Sequence, residues 1–158
     1  MPKINWLKLI IAILICQVAG LIGSVFTRNS VSTWYLTLQK PSFNPPNWIF
    51  APVWTFLFLL MGIALYLVWS KRQNQKQKNK ALVFFSLQLV LNIVWSFCFF
   101  YLHNPLAGLV EILILWIFIL LTIIYFYKIS RSAAYLLLLY IFWVSFAAVL
   151  NYYLYMLN

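Results

Sequence analysis

Five long apolar runs constrain this chain more than anything else in it. They lie at about 6–26, 47–70, 81–102, 105–128 and 133–157, each near the ~20 residues that carry a helix across a bilayer. Of its 158 residues 66% are hydrophobic and 8% charged, against about 25% charged in a soluble domain. A compact soluble fold of this length has too little interior to hide that much apolar surface. The reading excludes a soluble enzyme. It predicts an all-α integral membrane protein, a single domain over 1–158 built as a five-helix bundle, with a structured loop between the first two helices. The first run starts beside Lys3 and Lys8, as a signal peptide would. Its apolar stretch is long, however, and Gly20 to Ser24 is a poor cleavage site, so it reads as a helix.

Charge orients the bundle. The chain has eleven Lys and Arg and one acidic residue, Glu111. Lys3, Lys8, Lys71, Arg72, Lys76, Lys78, Lys80, Lys128 and Arg131 fall on one side of the spans, and Arg28 and Lys40 on the other. The positive-inside rule puts the N-terminus in the cytoplasm, and the C-terminus and the long loop outside. The basic excess is then a topology signal, and no nucleic-acid partner is expected. With no added targeting segment read in the sequence, a prokaryotic cytoplasmic membrane is the expected location. Cys16 and Cys98 lie in apolar runs and read as buried thiols. One His and one acid cannot build an ordinary metal centre or a carboxylate dyad.

The connections differ in kind. Residues 27–46 form the long loop, 71–80 a basic linker, and His103-Asn104-Pro105 a tight turn with Pro105 opening the fourth helix. Ser132 is the expected N-cap of the fifth. Pro41, Pro45 and Pro46 make the long loop stiff and non-helical, and Trp34 and Tyr35 suit the membrane interface. The second helix should start near Asn47, with Pro52 in its first turns. Such a loop is either a lid on a cavity or an interfacial anchor.

Helical spacing groups the unusual residues. Gln88, Asn92, Trp95 and Phe99 share one face of the third helix, and Tyr140, Trp143, Ala147 and Asn151 share one face of the fifth. Trp54 and Phe58 are one turn apart on the second. Amides facing lipid are costly, so Gln88 and Asn92 should point inward. They serve either as interhelical hydrogen bonds, at about 0.6 kcal/mol each, or in a pocket whose aromatic walls suit a large, flat, mostly apolar ligand. Glu111 lies in the first two turns of its helix, where the macrodipole favours a carboxylate, and His103 is its candidate partner. Gly20, Gly23 and Ser24 read as packing residues that allow close helix approach.

The stretch from Trp34 to Gly62, WYLTLQKPSFNPPNWIFAPVWTFLFLLMG, closely resembles the signature of the tryptophan-rich sensory protein and translocator protein family (TspO/MBR, the peripheral-type benzodiazepine receptor family). The resemblance continues through Gln88-Leu89, Asn92, Trp95-Ser96 and Phe99-Phe100, then through Tyr140, Trp143, Phe146-Ala147 and Leu150-Asn151. It covers essentially the whole chain. One departure is Leu139, where the family usually has a proline before the tyrosine; the kink expected in relatives should be smaller or absent.

The resemblance implies an integral membrane receptor or transporter that binds porphyrins and other flat hydrophobic ligands beneath the first loop. The matching positions are Tyr35, Pro45, Trp54, Phe58, Gln88, Asn92, Trp95, Trp143 and Ala147, with Trp54 and Trp143 as facing indoles. It implies a homodimer in the lipid bilayer, with porphyrin as ligand and no separate cofactor or metal. The alternative is a light-dependent porphyrin-degrading enzyme that uses Trp54 and Trp143 as redox participants. No nucleophile triad or cofactor motif supports ordinary catalysis. An unrelated ion or solute transporter would need charges within the spans or internal repeats, and Glu111 alone is a thin basis. Leu150 and Tyr152 lack the basic residue of a sterol motif, so specific cholesterol binding is not predicted.

Overall fold

The computed structural model describes residues 4–72 and 74–158; Lys3, counted above among the orienting charges, lies outside them. The chain folds into α1 (Trp6–Val31), α2 (Trp34–Thr37), α3 (Asn47–Ser70), α4 (Gln75–Ser96, continued as a wider π-helical turn over Phe97–Tyr101), α5 (Pro105–Tyr127) and α6 (Arg131–Leu157). Five of these, α1, α3, α4 with its π turn, α5 and α6, are long and apolar enough to span a membrane. The described residues contain no strand. The result is the all-α membrane bundle expected from the five runs.

Polar side chains set the helix starts. The Asn5 side chain accepts from Lys8 N at 3.0 Å, and Asn104 accepts from Ala107 N at 3.0 Å with Pro105 in the first turn. Three boundary expectations are corrected. Ser130, not Ser132, caps α6, because its extended backbone turns its hydroxyl back onto Ala133 N. The helix α1 runs five residues past 26 to Val31. No Gly or Pro interrupts it there, and the Thr27 hydroxyl folds back onto Gly23 O at 3.1 Å. The third span starts at Gln75 rather than 81, so most of the basic linker is helical. Asn74 caps it, and Gln75 donates to Asn79 one turn on at 2.7 Å. The long loop is also not wholly irregular, since α2 forms one turn before the prolines stop it. In α6, Leu139 keeps the backbone donor that the proline expected from the resemblance would lack, and the helix is unbroken from Arg131 to Leu157.

The five spans close into a ring in the order α1, α3, α6, α5, α4, and back to α1. Small residues allow the closest approaches. A Cβ on Gly62 would stand 2.6 Å from Ile13 Cα, so α1 and α3 touch backbone to backbone there. Nearer the N-terminal end of α1, Asn5 N donates to Tyr66 Oη at 3.2 Å. On the other side of that contact Gln17 Nε2 donates to Thr55 O at 3.1 Å. Gly23 lies against Ser96 of α4. Outward faces are as apolar as the interior: Leu14, Val18, Leu21 and Val25 of α1 are all exposed. That pattern suits a hydrocarbon solvent, where burial is not what separates inside from outside.

Candidate ligand-binding cavity

The end of the bundle that carries the long loop is pinned shut. The Tyr35 hydroxyl donates to Asn44 Oδ1 at 2.6 Å, and Lys40 places its ammonium 4.9 Å from the centre of the Tyr35 ring while donating to Leu38 O at 3.2 Å. Lys40 is thus accounted for by the structure of the loop. Burial pushes the Tyr35 phenol up to about 12. Gln39 and Asn158 exchange two hydrogen bonds at 2.9 and 3.0 Å, tying the loop to the end of α6. Trp34 stacks on His103 at 4.6 Å, and Ser30 donates to Phe100 O at 2.7 Å. His103 therefore pairs with the loop and not with Glu111.

Beneath this loop lies a cavity of about 320 Å³, bounded by α1, α2, α3, α4 and α6. It falls at the small end of the range for small-molecule sites, roughly 300–1,000 Å³. Aromatic rings line it in a continuous run: Phe58 to Trp54 (centroids 6.0 Å), Trp54 to Trp95 (6.0 Å) and Trp95 to Phe99 (5.8 Å, nearly parallel). Trp143 and Phe50 close the α6 and α3 sides, 6.3 Å apart. The π turn after Ser96 widens the backbone where Phe99 and Phe100 enter the lining, and such turns often mark functional positions.

Seven of the nine positions carried by the resemblance line this cavity: Tyr35, Trp54, Phe58, Asn92, Trp95, Trp143 and Ala147. Two are placed elsewhere. Gln88 is buried one turn deeper than Asn92, where its Nε2 faces Met61 Sδ at 3.8 Å. Pro45 is half-buried in the loop, outside the lining, and accepts from Asn44 Nδ2 at 3.0 Å through its carbonyl. The two indoles expected to face each other both line the space, yet Trp54 pairs with Trp95, Phe58 and Tyr140, whereas Trp143 pairs with Phe50 and Phe146.

The amides act both as glue and as lining. Asn92 Nδ2 donates to Tyr140 Oη at 2.9 Å, and Trp95 Nε1 donates to Asn151 Oδ1 at 3.2 Å, both bridging α4 and α6. Asn151 in turn donates to Pro105 O at 2.8 Å. Trp143 differs: its Nε1 is buried and has no hydrogen-bond partner among the described residues. Both carboxylate oxygens of Glu111 are also buried without partners, but Glu111 is not part of the lining.

The mouth was not legible in the sequence. The lining residues that are also exposed, Leu21, Ser24, Arg28, Ala51 and Thr55, come from α1 and α3 alone. The opening therefore lies on the flank of the bundle between those helices, above their contact at Gly62. Of the residues read as packing ones, Gly20 packs against Phe58 and Gly23 against Ser96, whereas Ser24 is exposed; Gly20 and Ser24 floor and edge this opening, because a residue without bulk leaves space on whichever side lacks a neighbour.

The chain was compared with known proteins. The model of a family described as the TspO/MBR family matches residues 12–157. The chain is 47% identical over 152 residues to tryptophan-rich protein TspO of Chlorobaculum tepidum, covering 96% of each. It is 48% identical over 154 residues to tryptophan-rich protein TspO of Archaeoglobus fulgidus, covering 98% of this chain and 99% of the relative. It is 33% identical over 148 residues to the translocator protein of Bos taurus, covering 93% and 88%.

Proposed function

The chain belongs to the TspO/MBR family, and on that premise we propose that it is a membrane receptor or carrier for porphyrins and similar flat hydrophobic molecules. The observation that supports this reading is the aromatic cavity itself. A planar macrocycle offers faces to Trp54, Trp95, Trp143 and Phe58, and apolar contact with four large rings outweighs anything the few amides contribute. The loop above excludes water from the loop end, and the flank opening admits a ligand dissolved in lipid. The charge count supports a cytoplasmic N-terminus in a prokaryotic cytoplasmic membrane, and the resemblance supports a homodimer.

The test is a titration of the detergent-solubilised chain with protoporphyrin, followed by quenching of tryptophan fluorescence. Saturable binding that weakens in Trp54→Ala and Trp143→Ala is expected. Absence of saturation, or curves in both variants unchanged from the parent chain, would overturn the reading. Repeating the titration under illumination separates binding from degradation: a new absorbing product that disappears in Trp143→Phe would favour the enzymatic alternative.

A further inference from the structure

Among the described residues the cavity carries one charged side chain, and it is a cation. Arg28 stands in the last turn of α1, exposed, at the loop end of the lining. Its charge suits the C-terminal end of a helix. That alone does not explain why it borders an aromatic cavity. No carboxylate side chain answers it, because the one acidic residue, Glu111, is buried in α5 away from the lining. The neighbouring hydroxyls are already directed elsewhere: Ser24 donates to Leu21 O, Thr27 to Gly23 O and Thr55 to Ala51 O. The cavity thus offers a guanidinium with no carboxylate side chain to answer it, and that calls for an acceptor on the ligand.

Depth gives this a geometry. From Gln17 to Arg28 the lining runs along eleven residues of α1, or about 16 Å at 1.5 Å per residue. The rings of Phe58, Trp54 and Trp95 lie at the apolar part of the space, and Arg28 lies at the end where the helix leaves the hydrocarbon. A flat ligand with an acidic edge fits that order: ring system inward, carboxylate at the mouth. A guanidinium meets a carboxylate with paired N–H donors, which a neutral ester cannot match.

Resting on the porphyrin reading above, we infer that Arg28 makes the site selective for planar ligands bearing a carboxylate over their neutral counterparts. The experiment uses protoporphyrin and its dimethyl ester against the full chain, Arg28→Gln and Arg28→Lys, in one neutral detergent. Taking the ratio of the two affinities within each variant cancels differences in detergent partitioning. The expected result is a loss of about fivefold for the acid in Arg28→Gln, no change for the ester, and retention of most of the preference in Arg28→Lys. Added salt should erode the acid's advantage in the parent chain and in Arg28→Lys, and change little in Arg28→Gln. Equal effects on both ligands, or none, overturn the role of Arg28 while leaving the cavity as the binding site. Failure of the parent chain to bind either ligand overturns the porphyrin reading and this inference together.

Discussion

Replacing Gly20 with alanine probes the floor of the cavity. The added Cβ would stand 2.6 Å from Cδ2 and 2.8 Å from Cε2 of Phe58. Carbon atoms rest about 3.5–4.0 Å apart, so the ring must retreat by about 1 Å. Phe58 is backed by Trp54 and borders the cavity, so the space open to it is the cavity itself. Overpacking costs about 1–3 kcal/mol where nothing yields. Here the empty protein relieves most of that by moving one flexible ring, and a bound ligand then meets the displaced ring. The expected outcome is an affinity lower by about five- to 150-fold, with little change in melting temperature. Gly62→Ala is the opposite case. Its Cβ would lie 2.6 Å from Ile13 Cα and 3.1 Å from Ile13 N, and backbone cannot step aside, so stability should fall by about 1–3 kcal/mol. Protoporphyrin titration and thermal unfolding followed by circular dichroism, in the same detergent, separate the two. Unchanged affinity in Gly20→Ala would refute the placement of Phe58 under the ligand. Unchanged stability in Gly62→Ala would refute the backbone contact between α1 and α3.

Three further outcomes follow from the same packing. The Tyr35 phenol, held up at about 12 by burial, contributes stability that is intact below its unfolded value of about 10 and is lost as pH rises from there through about 12; protease sensitivity of the loop should climb over that window, and the climb should be flatter in Tyr35→Phe. Glu111→Leu replaces an unpartnered buried carboxyl with an apolar side chain and should stabilise the bundle by about 1–3 kcal/mol in thermal unfolding, with porphyrin affinity unchanged; lost affinity at an unchanged melting temperature would give Glu111 a role in the site. Tyr140→Phe removes the acceptor for Asn92 and should cost about 0.6–1.7 kcal/mol; a neutral result would mean that Asn92 finds another partner.

The spans were legible because apolar length is a local property, and Pro and Asn marked the starts at Asn47 and Pro105. What periodicity could not supply was depth. Gln88 and Asn92 share a face, yet only Asn92 reaches the cavity, because Met61 of α3 stands in front of Gln88. Helical spacing reports direction around an axis, and the level at which a neighbouring helix leaves a gap depends on two helices at once. The same limit hid the wall contributed by α1. Gly20, Ser24, Thr27 and Arg28 have no aromatic pattern to announce them, and their role depends on how far α3 leans away. The basic linker misled for a different reason: charge was read as loop, although Gln, Lys and Asn extend a capped helix readily where they are exposed.

The backbone contact between Gly62 and Ile13 acts as a pivot. From Ile13 to Arg28 α1 extends fifteen residues, a lever arm of about 22 Å. Tilting that arm by about 5° moves its far end by about 2 Å, roughly half the thickness of one stacked ring. Beyond the Gln17–Thr55 bond, the arm meets α3 closely at Gly20 against Phe58 and, farther on, only across the mouth. A ligand that tilted this arm would have to strain its contacts with α4 and the π turn, at Gly23 against Ser96 and Ser30 against Phe100. A distance label on Arg28 and one on Asn47 would read that angle directly, ligand by ligand.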